Sequence, residues 1–347
     1  MVVGRYRGLG LAARMGTWMT HLSRSRIRRI LAAFPRTRVL VVGDLVLDEY
    51  IWGEVSRISP EAPIPVVEVT RRSMIPGGAA NVANNLCALG ARASIAGFVG
   101  TDSAGKQLRS LLDREGADTS FIIASRSVRT SVKTRVIAHK QHVVRFDDEG
   151  PPADGERMRS RLLAKLQSSR RRFDAVVVED YGKGALSQRF VDGIVALARA
   201  KGIPVVVDPK KEHPLKLDGV ALVTPNREEA CVLAGVPPRS DVTPEKVGRL
   251  LARKWGGAAV LVTLGADGMC LVEKGRRVQH IPTKKLEVYD VAGAGDTVAA
   301  VMALGLANGI TLAEAAVVAN AAAGVVVGKV GTGTVTRAEL VRALEVG

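Results

Sequence analysis

The chain is poor in aromatic residues and lacks any long apolar segment. Aromatic side chains make up 4% of its 347 residues, which disfavours a surface that binds nucleic acid by stacking on the bases. No apolar run reaches the roughly 18 residues needed to cross a bilayer, since polar residues interrupt even the Ala-rich region 297–328. We therefore expect a soluble protein without a membrane partner.

Cysteines are also scarce. Cys87, Cys231 and Cys270 are widely spaced and form no CxxC pair, and each lies in or beside an apolar stretch. We therefore expect buried thiols and no cysteine-bound metal. An odd number of cysteines does not suit a disulfide framework, and the sequence carries no secretion signal, so we expect a cytoplasmic location.

Acidic residues are absent from the first 38 residues, which carry nine arginines. These account for nine of the sixteen net positive charges of the chain, and the remainder is ordinary for an enzyme of phosphorylated substrates. Residues 23–34 (SRSRIRRILAAF) predict a short basic amphipathic helix. A tail, a transit peptide and a nucleic-acid contact all fit residues 1–36. We favour a tail without a nucleic-acid partner, so a chain starting at residue 37, where the main domain (37–347) begins, should stay active.

Short apolar runs that end in polar or glycine residues alternate with helical segments along the chain. They occupy 38–44, 94–100, 175–180, 204–209, 221–226 and 259–265. This alternation predicts an α/β fold with a mainly parallel sheet and helices on both faces. Ligands collect at the carboxyl edge of such a sheet, so polar residues that end these runs are candidate site residues. Asp44 and Asp48 could accept hydrogen bonds from sugar hydroxyls or simply cap turns.

Two stretches depart from this alternation. Prolines at positions 60, 63 and 65 exclude a helix in residues 52–69. Residues 121–146 show strand alternation, with a turn predicted at Lys140-Gln141. We expect strands from about 49–70 and 120–147 to form a small β-lid over the ligand edge of the sheet.

Three cations of the second stretch, Lys133, Arg135 and Arg145, could hold a phosphate group of the substrate. They could equally be solvated charges on exposed strands. The pattern does not choose among the three.

The stretch 288–301 (VYDVAGAGDTVAAV) combines glycines, an acid and the start of a helical segment. Gly293 and Gly295 allow a sharp turn with converging backbone amides, and the following helix adds its positive dipole end. This predicts an anion-binding pocket with the Asp296 carboxylate at its rim, as phosphoryl transfer to a sugar hydroxyl requires. Read alone, the stretch also fits a glycine turn with an Asp cap.

Taken together, these motifs resemble the ribokinase/phosphofructokinase-B family of sugar kinases. Residues 290–296 (DVAGAGD) are similar to the family's DTxGAGD signature, with Ala292 where Thr or Ser is common. The resemblance implies a three-layer ribokinase-like sandwich with a β-lid. It also implies that Asp296 is the catalytic base and that the amides of residues 293–295, including Ala294, form the anion hole.

Further motifs extend the resemblance from about residue 36 to the end of the chain. In PGGAANVANN at 76–85, it implies that Gly77, Gly78 and Asn81 contact the sugar. N-x-x-E at 226–229 resembles the family motif that organises Mg²⁺ and the nucleotide phosphates, although the same residues could form a helix capping box. The implied nucleotide-binding residues are Asn226, Glu229, Thr263, Gly265, Gly268 and Asn320, with Glu229 also a metal ligand.

Two runs point to a narrower group. SRISPEAPIPVV at 56–67 and DYGKG at 180–184, with Asp180 and Lys183 as implied substrate contacts, resemble heptose 7-phosphate kinases, including the kinase half of the heptose kinase/adenylyltransferase. This implies phosphorylation of D-glycero-D-manno-heptose 7-phosphate at O1 by ATP, with Mg²⁺, in a homodimer joined through the lid. Alternatives are a same-family kinase for another sugar, such as a fructose phosphate or ribose, or a non-catalytic sugar- or nucleic-acid-binding protein.

Overall fold

A computed structural model describes residues 22–139, 141–150, 155–238, 241–283, 289–329, 331 and 333–345. The expectations for residues 1–21 and for Lys140 of the hairpin turn lie outside the described residues. Among the described helices, none is long and apolar enough to cross a membrane.

Thirteen strands are present in the described part of the chain. In chain order they are β1 (Arg38–Gly43), β2 (Leu45–Ile58), β3 (Pro65–Gly78), β4 (Arg92–Gly100), β5 (Asp118–Ser125), β6 (Ser131–Ala138), β7 (Gln141–Asp148), β8 (Ala175–Glu179), β9 (Val205–Asp208), β10 (Leu222–Val223), β11 (Ala259–Thr263), β12 (Met269–Val272) and β13 (Gln279–Ile281). The larger sheet has the order β13-β12-β11-β10-β9-β8-β1-β4-β5. Its strands pair in parallel from β5 to β11, and only β12 and β13 are antiparallel. The predicted mainly parallel sheet is therefore confirmed.

Ten α-helices accompany these strands within the same residues. They are α1 (Arg24–Ala33), α2 (Ala79–Ala88), α3 (Ser103–Arg114), α4 (Gly155–Ser168), α5 (Gln188–Ala200), α6 (Arg227–Leu233), α7 (Pro244–Lys254), α8 (Ala294–Ala307), α9 (Leu312–Val327) and α10 (Arg337–Glu345). Successive side chains of β1 point to opposite faces of the sheet. Val39 and Val41 pack with α1, α2, α3, α8, α9 and α10, whereas Leu40 and Val42 pack with α4, α5, α6 and α7. Two cores on opposite faces give the expected three-layer sandwich.

The four remaining strands form a separate sheet in the order β3-β2-β6-β7, called the small sheet below. The stretch expected to supply lid strands at 120–147 divides between the two sheets, because β5 pairs with β4 in the larger one. The reason is burial on both faces: Phe121 contacts one core and Ile122 the other. Strand alternation in the sequence therefore predicted a strand here but not the sheet to which it belongs.

The first lid stretch is longer than expected. The β2–β3 pair runs from Leu45 to Gly78 instead of covering only 49–70. Gly77 and Gly78, expected as a turn, are the last residues of β3, and the change of direction into α2 occurs at Gly78, where φ is +57°.

The basic N-terminal segment contributes to the core. Its apolar residues recur at helical spacing, and Ile27, Ile30 and Leu31 are buried against the α8–α9–α10 side of the sheet. Arg26 donates two hydrogen bonds, of 2.7 and 2.9 Å, to the carboxylate of Glu314 near the start of α9. Residues 24–34 are therefore part of the folded domain, contrary to the expectation of a dispensable segment ending at residue 36.

Replacing Ile30 by alanine should lower the free energy of unfolding by about 2 to 4 kcal/mol, because the change leaves a cavity in a packed core. Urea unfolding followed by circular dichroism measures this loss. Arg29→Ala, on the exposed face of the same helix, is the matched control and should change stability by less than about 0.5 kcal/mol. Equal, small effects of both changes would show that α1 is not a core element.

Candidate active site

The carboxyl ends of β8, β9, β10 and β11 meet beside the N-terminus of α8 and enclose a cavity of about 530 Å³. Its lining includes most of the predicted catalytic and nucleotide-binding residues. The lining residues are Asp180, Tyr181, Asp208, Pro209, Lys210, Thr224, Asn226, Arg227, Glu228, Glu229, Thr263, Leu264, Gly265, Val291, Gly293, Ala294, Gly295 and Asp296. A cavity at this edge is where an open α/β sheet binds its ligands.

The glycine-rich turn opens directly into α8. Gly293 adopts a left-handed conformation, with φ +79°, and is the N-cap of the helix. The first-turn amides of an α-helix have no acceptor within the helix. The Ala294 N–H donates to the Val291 backbone oxygen at 3.4 Å, which leaves the amides of Gly295 and Asp296 as the first-turn donors for a ligand. With the helix dipole, this turn has the features expected of an anion-binding element at the cavity wall.

Asp296 lies almost fully buried at this wall, 2% exposed. The Asn81 side-chain amide donates a 2.6 Å hydrogen bond to one carboxylate oxygen, and the Tyr181 hydroxyl donates a 2.9 Å bond to the other. Burial raises the pKa of Asp296 to about 6, although both donors favour the charged form and oppose this rise. The carboxylate is therefore ionised at neutral pH and still basic enough to accept a proton.

Further polar contacts between α2 and α8 support the pairing of Asn81 with Asp296. The Thr297 hydroxyl donates to the side-chain oxygen of Asn85 at 3.0 Å, and the Asn85 amide donates to the backbone oxygen of Asn81 at 3.0 Å. All four side chains are buried. Asn81, expected to contact the sugar, thus holds the base directly.

Three acids cluster beneath the anion-binding turn. Carboxylate oxygens of Glu179, Asp208 and Asp296 lie within 4.8 Å of one another. Glu179 is fully buried and receives no hydrogen bond from the described residues at either oxygen. Burial, followed by the charges of Asp208 and Asp296, raises the pKa of Glu179 well above its usual value. Burial and then the Glu229 charge raise the pKa of Asp208 to about 8.

Sequence analysis predicted Asp296 as the base but included Glu179 and Asp208 only among the polar residues at strand ends. Glu179 and Asp208 are paired in the parallel register of β8 and β9, so recognising the two strands as neighbours would have predicted their proximity. The strand order was not available from the pattern, which explains the omission.

Asn226 and Glu229 form a complete capping box at the start of α6. Each side chain accepts a 3.0 Å hydrogen bond from the backbone N–H of the other residue. The second oxygen of Glu229 lies 3.4 Å from Nζ of Lys210, a cavity residue that sequence analysis did not select. The predicted capping box is therefore present, and the Glu229 carboxylate that forms it also lines the cavity.

The predicted nucleotide-binding residues separate into two groups. Thr263 and Gly265 line the cavity, whereas Gly268 and Asn320 are not among its lining residues. A Cβ on Gly268 would lie 2.0 Å from the backbone oxygen of Ile281, so this glycine permits close packing of neighbouring chain segments. The Asn320 amide donates to the backbone oxygen of Pro282 at 2.9 Å, which attaches α9 to the end of β13.

Asp44 has a structural role in this arrangement. Its buried carboxylate accepts hydrogen bonds from the backbone N–H groups of Tyr181, Lys183 and Ala185, at 2.8 to 3.1 Å. These contacts are of the turn-capping kind that sequence analysis offered as the alternative, and the contact of Asp44 with sugar hydroxyls stays a prediction. Asp180 of the same loop accepts from the Gly182 N–H and is paired with His213, both within 2.9 Å.

The two glycines at the end of β3 permit close approach of chain segments. A Cβ on Gly77 would lie 2.3 Å from a carboxylate oxygen of Asp48, and one on Gly78 would lie 2.6 Å from the backbone oxygen of Asp44. Because Gly77 has no side chain, the Asp48 carboxylate can lie against the backbone where β3 leads into α2. Asp48 is itself buried and receives a 2.5 Å hydrogen bond from Arg135.

The remaining predicted substrate contacts are cations of the small sheet and of the loop after β8. Arg145 pairs with Asp147 at 2.6 Å, and Lys183 pairs with Glu149 at 2.5 Å. The ammonium of Lys133 lies 4.8 Å from the centre of the Tyr181 ring. The small sheet therefore places a positive charge beside the Tyr181 ring.

Comparison with known proteins matches this architecture to one family. A profile described as "pfkB family carbohydrate kinase" matches residues 36–339. The "Bifunctional protein HldE" of Geobacter sulfurreducens is 44% identical over 323 residues, covering 93% of this chain and 66% of that protein. The protein of the same name from Caulobacter vibrioides is 44% identical over 310 residues, covering 89% of this chain and 63% of that protein. The chain thus spans slightly less than two thirds of these relatives.

Solved structures agree in fold. Escherichia coli phosphofructokinase-2, solved with substrates and products, superposes with a TM-score of 0.74 at 21% identity, covering 89% of this chain and 99% of that one. Arabidopsis thaliana ribokinase, solved with ribose and ATP, gives a TM-score of 0.69 at 22% identity, with the same coverages. The chain therefore has the ribokinase-like fold that its motifs predicted.

Proposed function

Because the chain belongs to the pfkB family of carbohydrate kinases, we propose that it transfers the γ-phosphoryl group of ATP to O1 of D-glycero-D-manno-heptose 7-phosphate. The product would be the heptose 1,7-bisphosphate, a precursor of ADP-heptose for the lipopolysaccharide core. The observation that carries the kinase chemistry is the position of Asp296, whose buried carboxylate adjoins the amides of the anion-binding turn. A binding protein would have no need for such a base.

The choice of sugar rests on the resemblance of residues 56–67 and 180–184 to heptose 7-phosphate kinases and on the HldE relatives. The first run forms the exposed end of the β2–β3 pair, where the Ser59 N–H donates to the Ile64 backbone oxygen at 2.8 Å. Its residues are not among those that line the cavity. The second run carries Tyr181 and Lys183, so the direct support for a sugar phosphate comes from this loop.

Asp296 would act as the general base. It would take the proton of the reacting hydroxyl while that oxygen attacks the γ-phosphorus, and Asn81 and Tyr181 would hold its carboxylate in place. The amides of Gly293, Ala294 and Gly295 would stabilise negative charge on the transferred group. Closure of the small sheet over the sugar would exclude water, which otherwise competes as the acceptor.

The donor set at the cavity also suits a divalent cation. Glu229 and Asp208 line the cavity. Glu179 lies beside Asp208, and its buried oxygens receive no hydrogen bond from the described residues. Carboxylates are preferred ligands of Mg²⁺, which is usually bound by one or two of them together with substrate phosphates. We propose Glu229 with Asp208 as the protein ligands. A bound Mg²⁺ would neutralise charge on the nucleotide phosphates.

We further propose a homodimer that buries the outer face of the small sheet. We also propose a cytoplasmic location, which suits three cysteines that are free thiols. Ten large apolar side chains are exposed in the described part of the chain, and seven belong to the small sheet or its β2–β3 connection. These seven are Ile58, Ile64, Val69, Met74, Val143, Val144 and Phe146. Apolar side chains concentrated on one exposed sheet are typical of an interaction surface.

The substrate proposal predicts selectivity among sugars. With Mg-ATP, kcat/KM for heptose 7-phosphate should exceed that for fructose 6-phosphate, fructose 1-phosphate and ribose by at least about 100-fold, because a site built for polar groups rejects substrates that leave them unpaired. Coupled ADP release measures all four. Faster turnover of another sugar would support the proposed kinase activity but contradict the proposed heptose substrate. No turnover of any would favour a binding protein.

Asp296→Asn should lower kcat by about 10²- to 10⁴-fold, because the amide cannot accept the proton. The melting temperature should not fall, since the change removes a carboxylate whose pKa is raised by burial. Differential scanning calorimetry and ADP release measure these two effects.

The pH profile provides the matching control. Wild-type kcat/KM should decrease as the pH falls through about 6, where Asp296 becomes protonated. The residual activity of Asp296→Asn should lack this dependence. Near-wild-type turnover of Asp296→Asn would show that Asp296 is not the base. The same decrease of its kcat/KM at low pH would show this too.

The dimer proposal predicts that Phe146→Asp converts the protein to a monomer, because a buried unpaired charge disfavours an apolar interface. Light scattering measures the mass in solution. Val232→Asp, at an exposed apolar position on α6 outside the small sheet, should leave the mass unchanged. A wild-type monomer, or a Phe146→Asp dimer, would contradict the proposed interface.

A further inference from the structure

Four cations lie near one another where the small sheet meets the loop after β8. Lys133 and Arg135 are two residues apart on β6 and so point to the same side of that strand. Arg145 is opposite Arg135 on β7, and Lys183 follows Tyr181 on the loop after β8. Sequence analysis left open which of the small-sheet cations meets a substrate phosphate.

Three of these four cations have acidic partners. Arg135 donates to Asp48 at 2.5 Å and also lies over the Tyr50 ring, so it positions a buried acid. Arg145, on the exposed strand β7, pairs with Asp147. Lys183 pairs with Glu149. Each of these charges is compensated without a substrate.

Lys133 differs from the other three. Among the described residues, no carboxylate oxygen forms an ion pair with its ammonium, which is half-buried and lies over the Tyr181 ring. Burial lowers the pKa of Lys133, and the neighbouring charges of Lys183 and Arg145 lower it further against the opposing effect of Asp48. A partly desolvated ammonium with cationic neighbours is costly until an anion joins it.

Tyr181 contacts both this ammonium and the base. Its ring contacts Lys133 and its hydroxyl donates to Asp296. A sugar whose reacting hydroxyl meets Asp296 would therefore direct its other end toward Lys133. An anionic group at that end would replace the missing counter-ion.

We infer that Lys133 binds the phosphate already carried by the sugar and thereby makes the enzyme select sugar phosphates over free sugars. Lys183 and Arg145 add positive charge at the same place, whereas Arg135 serves to position Asp48. This assignment rests on the proposed function insofar as the substrate is a sugar phosphate, and it does not require that the sugar is a heptose.

The test replaces Lys133 by methionine, which keeps the length of the side chain and removes its charge. KM for the preferred sugar phosphate should rise about 10- to 100-fold, the effect of losing a charge-assisted hydrogen bond, with kcat changed less than about threefold. Activity toward the same sugar without its phosphate should be unchanged. Calorimetric titration of sugar phosphate into Asp296→Asn, with and without Lys133→Met, measures the binding loss without turnover.

Two further variants control the test. Lys133→Arg keeps the charge and should retain most of the affinity. Arg72→Met removes an exposed cation of β3 that pairs with Glu49 and should leave both KM values unchanged. If Lys133→Met does not fold, Lys133→Gln provides the same comparison.

Four results would contradict the inference: equal losses toward the sugar phosphate and the free sugar, a fall in kcat with unchanged KM, equal losses for Lys133→Arg and Lys133→Met, or a wild-type enzyme that prefers free sugars. Preference for a sugar phosphate other than the heptose would contradict the heptose proposal alone. In that case the Lys133 comparison is made with that substrate.

Discussion

The hydrogen bond from Asn81 to Asp296 is the contact on which the site depends. It joins α2, near the start of the folded chain, to α8, which lies 215 residues later. Both partners are buried, so loss of either would leave a polar group unsatisfied in the interior. The Asn85–Thr297 contact adds a second link, one helical turn further along α2 and one residue further along α8. These contacts fix α2 and α8, which pack on the same face of the sheet, relative to each other at the position of Asp296.

Around this contact, the fold gathers more acidic side chains than it pairs with basic ones. Glu179, Asp208, Glu229 and Asp296 approach one cavity, and among the described cavity residues Lys210 is the cation paired with one of them. Holding these acids without their usual hydration costs stability, and the raised pKa values of Asp208 and Asp296 express that cost. A core of apolar strands on both faces can offset it. The cost is concentrated where a cation and phosphate groups would bind, as is common at functional sites.

The sequence predicted the features that depend on local pattern and missed those that depend on strand order. Apolar runs predicted the parallel sheet, and the glycines before α8 predicted a turn into a helix. The pairing of Glu179 with Asp208 required knowing that β8 and β9 are neighbours. The backbone amides that donate to Asp44 have no sequence signature. β5 was placed in the lid because strand alternation predicts a strand but not the sheet in which it pairs.

The arrangement of Lys133, Tyr181 and Asp296 bears on which hydroxyl reacts. A base alone does not fix which sugar hydroxyl reacts, since it can accept a proton from any hydroxyl that reaches it. If the phosphate end of the substrate is fixed at Lys133, the hydroxyl that reaches Asp296 is determined by its distance from that phosphate along the sugar. Tyr181 links the two groups, because Lys133 lies over its ring and its hydroxyl donates to Asp296. Asp44 accepts a hydrogen bond from the backbone N–H of Tyr181 and so helps to fix the loop on which this arrangement depends.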